Sequence, residues 1–360
     1  MKAIIDAQSL YKELKKISPA IKNNTVLPIL TCVKLDFEKN ILTVSATDLE
    51  TSISVKCDCE CQKPFSIVME YADISGVCGK VSGPVTISSE KNGVSITGES
   101  DKFNFTQTTD ASLFPKVDAD GFSQSMDVDG DFFFALSNAN QCRHTDEARI
   151  NMNAPCINIK KKQTDIVATD SMLMYKHTIK HDSKQEFNIM VSPQFAVATK
   201  GFQEGTISVS ERFIRCESGN TVITSRLPDS KFVNYEVMLV NDLNFNFKCN
   251  RESLIKSFSK ADVAASKSTH ICKVSFVKKG ILISAQDSDF GKEGQSECAA
   301  EHSVDIEAIA LPALQVTKLL DTMVSQNVEI SFREPTKAVY MRPEGSPETV
   351  ALVMPIQLTA

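Results

Sequence analysis

Residues 166–176 read IVATDSMLMYK. A short apolar run meets Ala168-Thr169-Asp170, and three of the next four residues are large and apolar. Alone, Thr169-Asp170 reads as a catalytic pair or as a turn. Where else the pattern occurs decides between them. Residues 42–50 read LTVSATDLE, 165–173 read DIVATDSML and 281–289 read ILISAQDSD. The three Asp residues, Asp48, Asp170 and Asp287, are spaced by 122 and 117.

A second landmark keeps the same period. Ile87-Ser88, Ile207-Ser208 and Ile330-Ser331 lie in VTISS, GTISV and VEISF, spaced by 120 and 123. Two landmarks recurring at about one-third of a 360-residue chain predict three tandem copies of one domain, not a solenoid. The boundaries fall in DADGFSQS and NDLNFNFK, giving domains 1–122, 123–247 and 248–360. Three copies of one Asp in equivalent places point to a structural turn. Asp and Thr at a strand end bond nearby backbone amides.

Each copy reads as a strand and a helix, alternating strands, a second helix, then more strands. The helices are expected at Gln8–Ile17, Glu70–Val81, Asp131–Arg143, Pro193–Phe202, Arg251–Ala265 and Pro312–Met323. Leu10, Leu14 and Ile17 make an apolar stripe, and Ser192-Pro193 is a cap followed by Pro at N1. Val85/Ile87, Val94/Ile96, Phe103/Phe105, Val274/Phe276 and Val328/Ile330/Phe332 alternate as strands do. The fold class is therefore α+β, antiparallel sheet with two helices per domain.

Composition sets outer limits. Hydrophobic content is 42%, charged content 23% and net charge -6, as in an ordinary globular protein. Neither a membrane-length apolar run nor a secretory leader is read, so a cytoplasmic location is expected, a host's cytoplasm for a viral chain. Eleven Cys without Cys-x-x-Cys argue against a zinc ribbon. Cys57, Cys59 and Cys61 continue the alternation of Ile53 and Val55, as small hydrophobes on a strand.

The search for chemistry finds little. GVCGK (76–80) lacks phosphate-loop spacing, and no Gly-x-Ser-x-Gly elbow occurs. DVDGD (127–131) puts Phe132 where a calcium loop needs Gly, and reads as a polar linker and helix start. His177 and His181 sit on a strand and its exit and do not converge. No metal, cofactor or enzymatic activity is expected. A hydrolase using Asp170 or His144 remains a competing reading, as does a three-domain protein-binding scaffold without DNA.

The basic residues suggest a partner. Lys12, Lys15 and Lys16 flank the Leu10/Leu14/Ile17 stripe, and Lys22 follows. Lys256 and Lys260 lie opposite Leu254 and Phe258, with Arg251 at the helix start. Arg143, Lys200 and Lys318 fall on other predicted helices, and Arg149 follows one. Basic helix faces on an acidic chain suit loose attraction to phosphates without base reading.

With these residues in view, the chain resembles the bacterial-type sliding clamp, the β subunit of DNA polymerase III, from end to end. NNTVLPIL followed by SATDLE resembles the first-domain signature, and QTTDASLFPKV the end of that domain. ARINMNAPCINI with IVATDSMLMY resembles the middle domain, VITSRLPDSKFVNY its close, and ETVALVMPIQL the last strand. The resemblance implies a head-to-tail homodimeric ring around double-stranded DNA, helices inward, tethering the replicative polymerase and loaded by a clamp loader. It implies a partner-peptide pocket of Met152, Thr169, Met172, Met174, Val240, Leu352, Met354 and Pro355. Met is over-used at surfaces that accept several partners. It also implies a dimer contact between edge strands near Lys102–Thr108 and Ile271–Phe276. Lys102, Phe103, Phe105, Ile271, Val274, Glu297 and Glu301 belong to that contact, with Glu293, Glu297 and Glu301 facing Lys91 and Lys102.

Two departures stand out. The family commonly has Gly-His-Arg-Leu after Ala-Thr-Asp, where this chain has Ser171-Met172-Leu173-Met174. The family's DNA-contacting Arg before TVLPIL is replaced by Asn23 and Asn24, with Lys22 as its substitute. They mark a divergent member, of bacterial or viral origin.

Overall fold

The computed structural model describes residues 1–23, 25–90, 93–105, 110–182 and 185–357, with the side chain of Glu90 left aside. The chain forms two compact units. One comprises residues 1–134 and 191–228, the other 135–190 and 229–360. Among the described residues the α-helices are α1 (Ala7–Ile17), α2 (Tyr71–Cys78), α3 (Gly130–Gln141), α4 (Pro193–Ala198), α5 (Arg251–Asp262) and α6 (Ala313–Asp321).

The first unit holds two antiparallel sheets. Five strands run in the order Glu60–Cys61, Lys2–Asp6, Pro84–Glu90, Gly93–Thr97, Lys102–Phe105. Eight run Gln124–Asp129, Glu204–Val209, Phe213–Ser218, Thr221–Arg226, Thr51–Asp58, Ile41–Thr47, Cys32–Glu38, Phe65–Glu70. The second unit holds one twelve-stranded sheet. Its order is Phe187–Met190, Cys156–Lys160, Gln163–Thr169, Leu173–Lys180, Thr349–Val353, Val339–Pro343, Asn327–Phe332, Phe245–Asn250, Lys292–His302, Gly280–Asp287, Ile271–Val277, Ala308–Pro312.

One arrangement recurs three times at matched register. Ile87 faces Ala3, Ile207 faces Met126 and Ile330 faces Phe247, each across an antiparallel pair with the strand that opens its copy. A second recurrence joins consecutive copies. Thr221–Arg226 pairs with Thr51–Asp58, and Thr349–Val353 pairs with Leu173–Lys180.

Local chemistry explains the helices. Asp6 caps α1 by accepting the Ser9 amide at 2.8 Å, and Lys15 and Lys16 occupy its last turn, where cations suit the helix dipole. Leu10, Leu14 and Ile17 bury completely. Ser192 caps α4 by accepting the Phe195 amide at 3.1 Å. Asn250 caps α5 through the Ser253 amide at 3.0 Å.

Several expectations need revision. Asp127-Val128-Asp129 is no linker: it completes the Gln124–Asp129 strand, and Asp129 Oδ1 then accepts the Asp131 and Phe132 amides as α3 begins at Gly130. Arg143 and Lys200 lie beyond the ends of α3 and α4. Ile53 and Val55 bury on one strand face, but Cys57 is only half-buried. Cys59 lies between strands, and Cys61 sits on the next one.

Candidate functional site

The repeated Thr-Asp closes the same turn in two copies. Asp48 Oδ1 accepts the amides of Glu50 (3.0 Å) and Thr51 (2.6 Å), while Thr47 Oγ1 donates to the Thr51 carbonyl at 3.0 Å. Asp170 Oδ1 accepts those of Met172 (2.9 Å) and Leu173 (2.8 Å), and Thr169 Oγ1 donates to the Leu173 carbonyl at 2.6 Å. Leu49 (φ 77°) and Ser171 (φ 79°) carry the left-handed residue of each. The third copy replaces Thr by Gln286 and takes a wider turn through Gly291 (φ 61°). Both acids are occupied by backbone, which is a structural role.

Beyond the second turn lies a groove. A cavity of about 540 Å³ is lined by Met238, Val240, Ala338, Tyr340 and Met354, with Arg333, Glu334 and Lys337 at one side. Beneath it Val167, Met174, Tyr235, Tyr340 and Leu352 form an apolar cluster. Met174 and Leu352 face each other across adjacent strands. The Tyr340 hydroxyl donates to the Met238 carbonyl and accepts the Val240 amide at 3.3 Å. At the rim, Arg333 is paired with Asp242 at 2.9 Å and with Glu334 at 3.8 Å.

The predicted pocket residues separate into layers. Val240 and Met354 line the cavity. Met174 and Leu352 are fully buried as its floor rather than its wall. Met172 is 39% exposed, and its carbonyl accepts the Met354 amide at 2.8 Å. Pro355, half-buried, follows Met354. Thr169 is committed to the turn, and Met152 is buried and is not among the lining residues. Met238, Tyr340, Ala338 and the charged Arg333, Glu334 and Lys337 escaped sequence reading. Residues 339–343 read VYMRP, with no polar–apolar alternation to mark which face meets the groove.

The first junction is an internal comparison. Arg226 and Glu50 repeat the Met354–Met172 backbone bond at 2.8 Å. Yet Ser52 and Thr224 stand where Met174 and Leu352 face each other, and Arg226 and Glu50 pair at 4.0 Å. The frame is shared and the apolar lining belongs to the second junction.

The cations also sort themselves. On α1, Lys12, Lys15 and Lys16 are exposed. Lys15 lies over the Tyr11 ring at 4.3 Å, and Lys16 bonds Glu13 at 2.8 Å. On α5, Lys256 and Lys260 are exposed, Lys256 being 3.7 Å from Glu252. Arg149 and Lys200 are exposed in loops, and Lys318 is half-buried on α6. Lys22 reaches Asp48 at 3.7 Å. Two arginines are held by backbone instead. Arg143 donates to the carbonyls of His144 (3.0 Å) and Asn153 (3.4 Å). Arg251 donates to those of Ser325 (3.1 Å) and Leu320 (3.2 Å), at the end of α6. Asn23 is exposed, whereas Asn24 lies outside the described residues.

Residues 1–118 match the family model described as DNA polymerase III beta subunit, N-terminal domain. The chain is 22% identical to a beta sliding clamp of Vibrio cholerae, over 99% of this chain and 100% of that one. It is 23% identical to one of Treponema pallidum, with the same coverage. Among solved structures, a sliding clamp of Pseudomonas aeruginosa superposes with TM-score 0.92 at 18% identity, covering 99% of this chain and 100% of that one. A DNA polymerase III beta subunit of Borrelia burgdorferi gives 0.93 at 14%, covering 100% and 99%.

Residues 1–118 belong to the DNA polymerase III beta subunit N-terminal domain family, and the whole chain has the fold of the solved beta subunits.

A beta subunit is an accessory to a polymerase rather than an enzyme. His177 Nδ1 meets Thr349 Oγ1 and His181 Nε2 meets Thr164 Oγ1, each at 2.8 Å, so the two rings serve different partners. Among the described residues no three His, Cys, Asp or Glu are grouped to hold a metal, and no helix is long and apolar enough to cross a membrane.

One expectation about the sheet edges is overturned. Ile271–Val277 is paired on both sides, with Gly280–Asp287 and with Ala308–Pro312, and Val274 is buried. It therefore offers no free edge for Ile271 or Val274 to present. Among the described residues, Lys292–His302 is open along part of one side. It pairs with Gly280–Asp287 along residues 292–299, but with Phe245–Asn250 only at 300–302. Glu293, Glu297 and Glu301 are exposed on it. Lys102–Phe105 pairs only with Gly93–Thr97 among the described residues, leaving Phe103 and Phe105 half-buried beside an exposed Lys102. Lys91 and residues 106–108 lie outside the described residues. Val263, 80% exposed just past α5, was not foreseen.

Proposed function

We propose that the protein is a DNA polymerase processivity factor: a sliding clamp that encircles double-stranded DNA and tethers the replicative polymerase. The carrying observation is the strand pairing that joins consecutive copies. Twice, the last strand of one copy pairs with the mid-copy strand of the copy before it. Lys102–Phe105 and Lys292–His302 are the third set of equivalent strands, each with an open side. Pairing them between two chains, head to tail, closes a C2 ring of six domains. The domains are 1–122, 123–244 and 245–360, the last boundary moved from 247/248 so that the third copy keeps its whole opening strand, Phe245–Asn250.

The other features fit that ring. Lys12, Lys15 and Lys16 on α1, and Lys256 and Lys260 on α5, supply sequence-independent attraction to phosphates. Topological linkage needs little binding energy, so a net charge of -6 is tolerable. The groove lined by Val240, Tyr340 and Met354 is the docking site for tails of the polymerase and of a clamp loader. The scaffold reading without DNA has no use for the two basic helices or for the ring-closing edges.

The test is topological. Loaded onto nicked circular DNA by its clamp loader, the dimer remains bound, and linearising the DNA releases it. Equal retention on linear and circular DNA, or a strictly monomeric chain by light scattering, overturns the proposal.

A further inference from the structure

Asp165 is a buried acid at a place that carries no acid in the other two copies. It is 1% exposed. Its Oδ2 accepts from Lys160 Nζ and the Tyr235 hydroxyl, both at 2.9 Å. Its Oδ1 accepts from Lys176 Nζ (2.9 Å), Thr178 Oγ1 (2.7 Å) and Gln163 Nε2 (3.1 Å). Strand register identifies its counterparts in the other copies. Asp165 faces Asn158 and Thr178; in the first copy Thr43 faces Asp36 and Lys56. In the third copy the place is taken by Leu282, which faces Ser275 and Glu297. The domain framework thus forms without a carboxylate at this place. Burying a charge is costly, and well-packed apolar residues often serve stability as well or better. The framework's stability therefore does not account for Asp165.

Its neighbours lead to the groove. Tyr235 places its ring in the groove floor and its hydroxyl on Asp165, while also accepting from Asn158 Nδ2 at 2.9 Å. The next residue, Glu236, is held by Lys160 at 2.7 Å. Met238 and Val240 follow directly and line the cavity. Their backbone is held in turn by Tyr340.

We infer that Asp165 and Tyr235 are positioning residues for the groove: together they fix segment 235–240, and hence where Met238 and Val240 stand when an apolar peptide docks. The inference rests on the peptide-groove reading above. Affinity for a peptide depends on such preorganisation as well as on the contacts themselves.

The test uses the full-length dimer and fluorescein-labelled peptides tiling the C-terminal tail of the cognate polymerase. Affinity is read by fluorescence polarisation well below the melting temperature. Tyr235→Phe keeps the ring and removes one bond to a charged acceptor; binding is expected to weaken about tenfold. The amides of 236–240 should exchange hydrogen faster. Phe37→Leu, in the core of the other unit, serves as a control for general destabilisation and should leave affinity unchanged. Met354→Ala reports on the groove itself. If Met354→Ala weakens binding while Tyr235→Phe binds like the wild type, the positioning role is wrong and the groove stands. If Phe37→Leu weakens binding as much as Tyr235→Phe, the effect is general destabilisation and the positioning role is again overturned. If no peptide binds, or Met354→Ala changes nothing, the groove reading falls and the positioning role falls with it.

Discussion

A carboxylate accepting two amides of its own turn is worth keeping even where nothing reacts. Asp170 holds Met172 and Leu173, and Ser171 pays with a left-handed backbone (φ 79°). Asp170→Ala should cost about 1–2 kcal/mol by urea melt, from loss of two bonds to a charged acceptor. Ser171→Gly should stabilise by about 0.5–1 kcal/mol, because glycine adopts that φ without strain. Asp165 works at longer range. Burial alone would raise its pKa, but bonds from Lys160, Lys176 and Thr178 outweigh it and hold the value at about 2, below the usual 3.8. A carboxyl with a depressed folded-state pKa adds stability that is fully present above the unfolded pKa. That contribution disappears as pH falls through the folded one. Between about pH 4 and 2 the wild type should lose about 2 kcal/mol through this group, and an Asp165→Asn variant should lack that component. At pH 7 the same substitution should destabilise by about 3–5 kcal/mol, since it strips a buried pair of its anion. Acid titration of both proteins by circular dichroism compares the two slopes.

At the scale of elements, periodicity reads faces well and partners poorly. The buried Leu10/Leu14/Ile17 stripe of α1 and the alternation of Val328/Ile330/Phe332 are both where the pattern puts them. Two expected helices run past their ends, at Val81 and Phe202 against Cys78 and Ala198. Gly79 follows α2 at once, and Gly201 (φ 86°) lies just past α4. Asp127 and Asp129 hid a strand, since Asp is depleted in strands. The edge assignment failed for a deeper reason. Alternation says which face of Ile271–Val277 is buried, not whether a neighbour lies on each side, and pairing supplies one here. The groove was half legible. Val240 and Met354 came from family resemblance, whereas Tyr340 reaches Met238 only through its hydroxyl. The cysteine reading carries its own check. Burial pushes the thiols of Cys78, Cys142, Cys156, Cys216 and Cys272 up to about 12. Iodoacetamide at pH 8 should therefore label these five slowly in the native protein and fully after unfolding, as mass spectrometry of the peptides will show.

At the scale of the whole molecule, the acid balance and the open edges bear on the same contact. Among the described residues, Lys292–His302 presents Glu293, Glu297 and Glu301 on a strand with one side unpaired over 292–299. Lys102–Phe105 presents one lysine and two half-buried phenylalanines on an edge. An unpaired, partly apolar edge is an aggregation hazard unless another strand covers it. In the proposed ring each edge covers the other, with apolar side chains supplying stability and the lysine and acids supplying specificity. Phe103→Glu adds a like charge to that contact and removes an apolar anchor, without touching the groove. The variant should elute as a folded monomer by light scattering at micromolar concentration, with peptide affinity unchanged and retention on circular DNA lost. Lys102→Glu, which leaves both phenylalanines in place, should weaken the dimer less, and added salt should narrow the gap from the wild type because the charges lie at a solvent-exposed rim. A Phe103→Glu chain that still dimerises would move the ring-closing contact elsewhere. The next place to look would be Val263, left 80% exposed beyond α5.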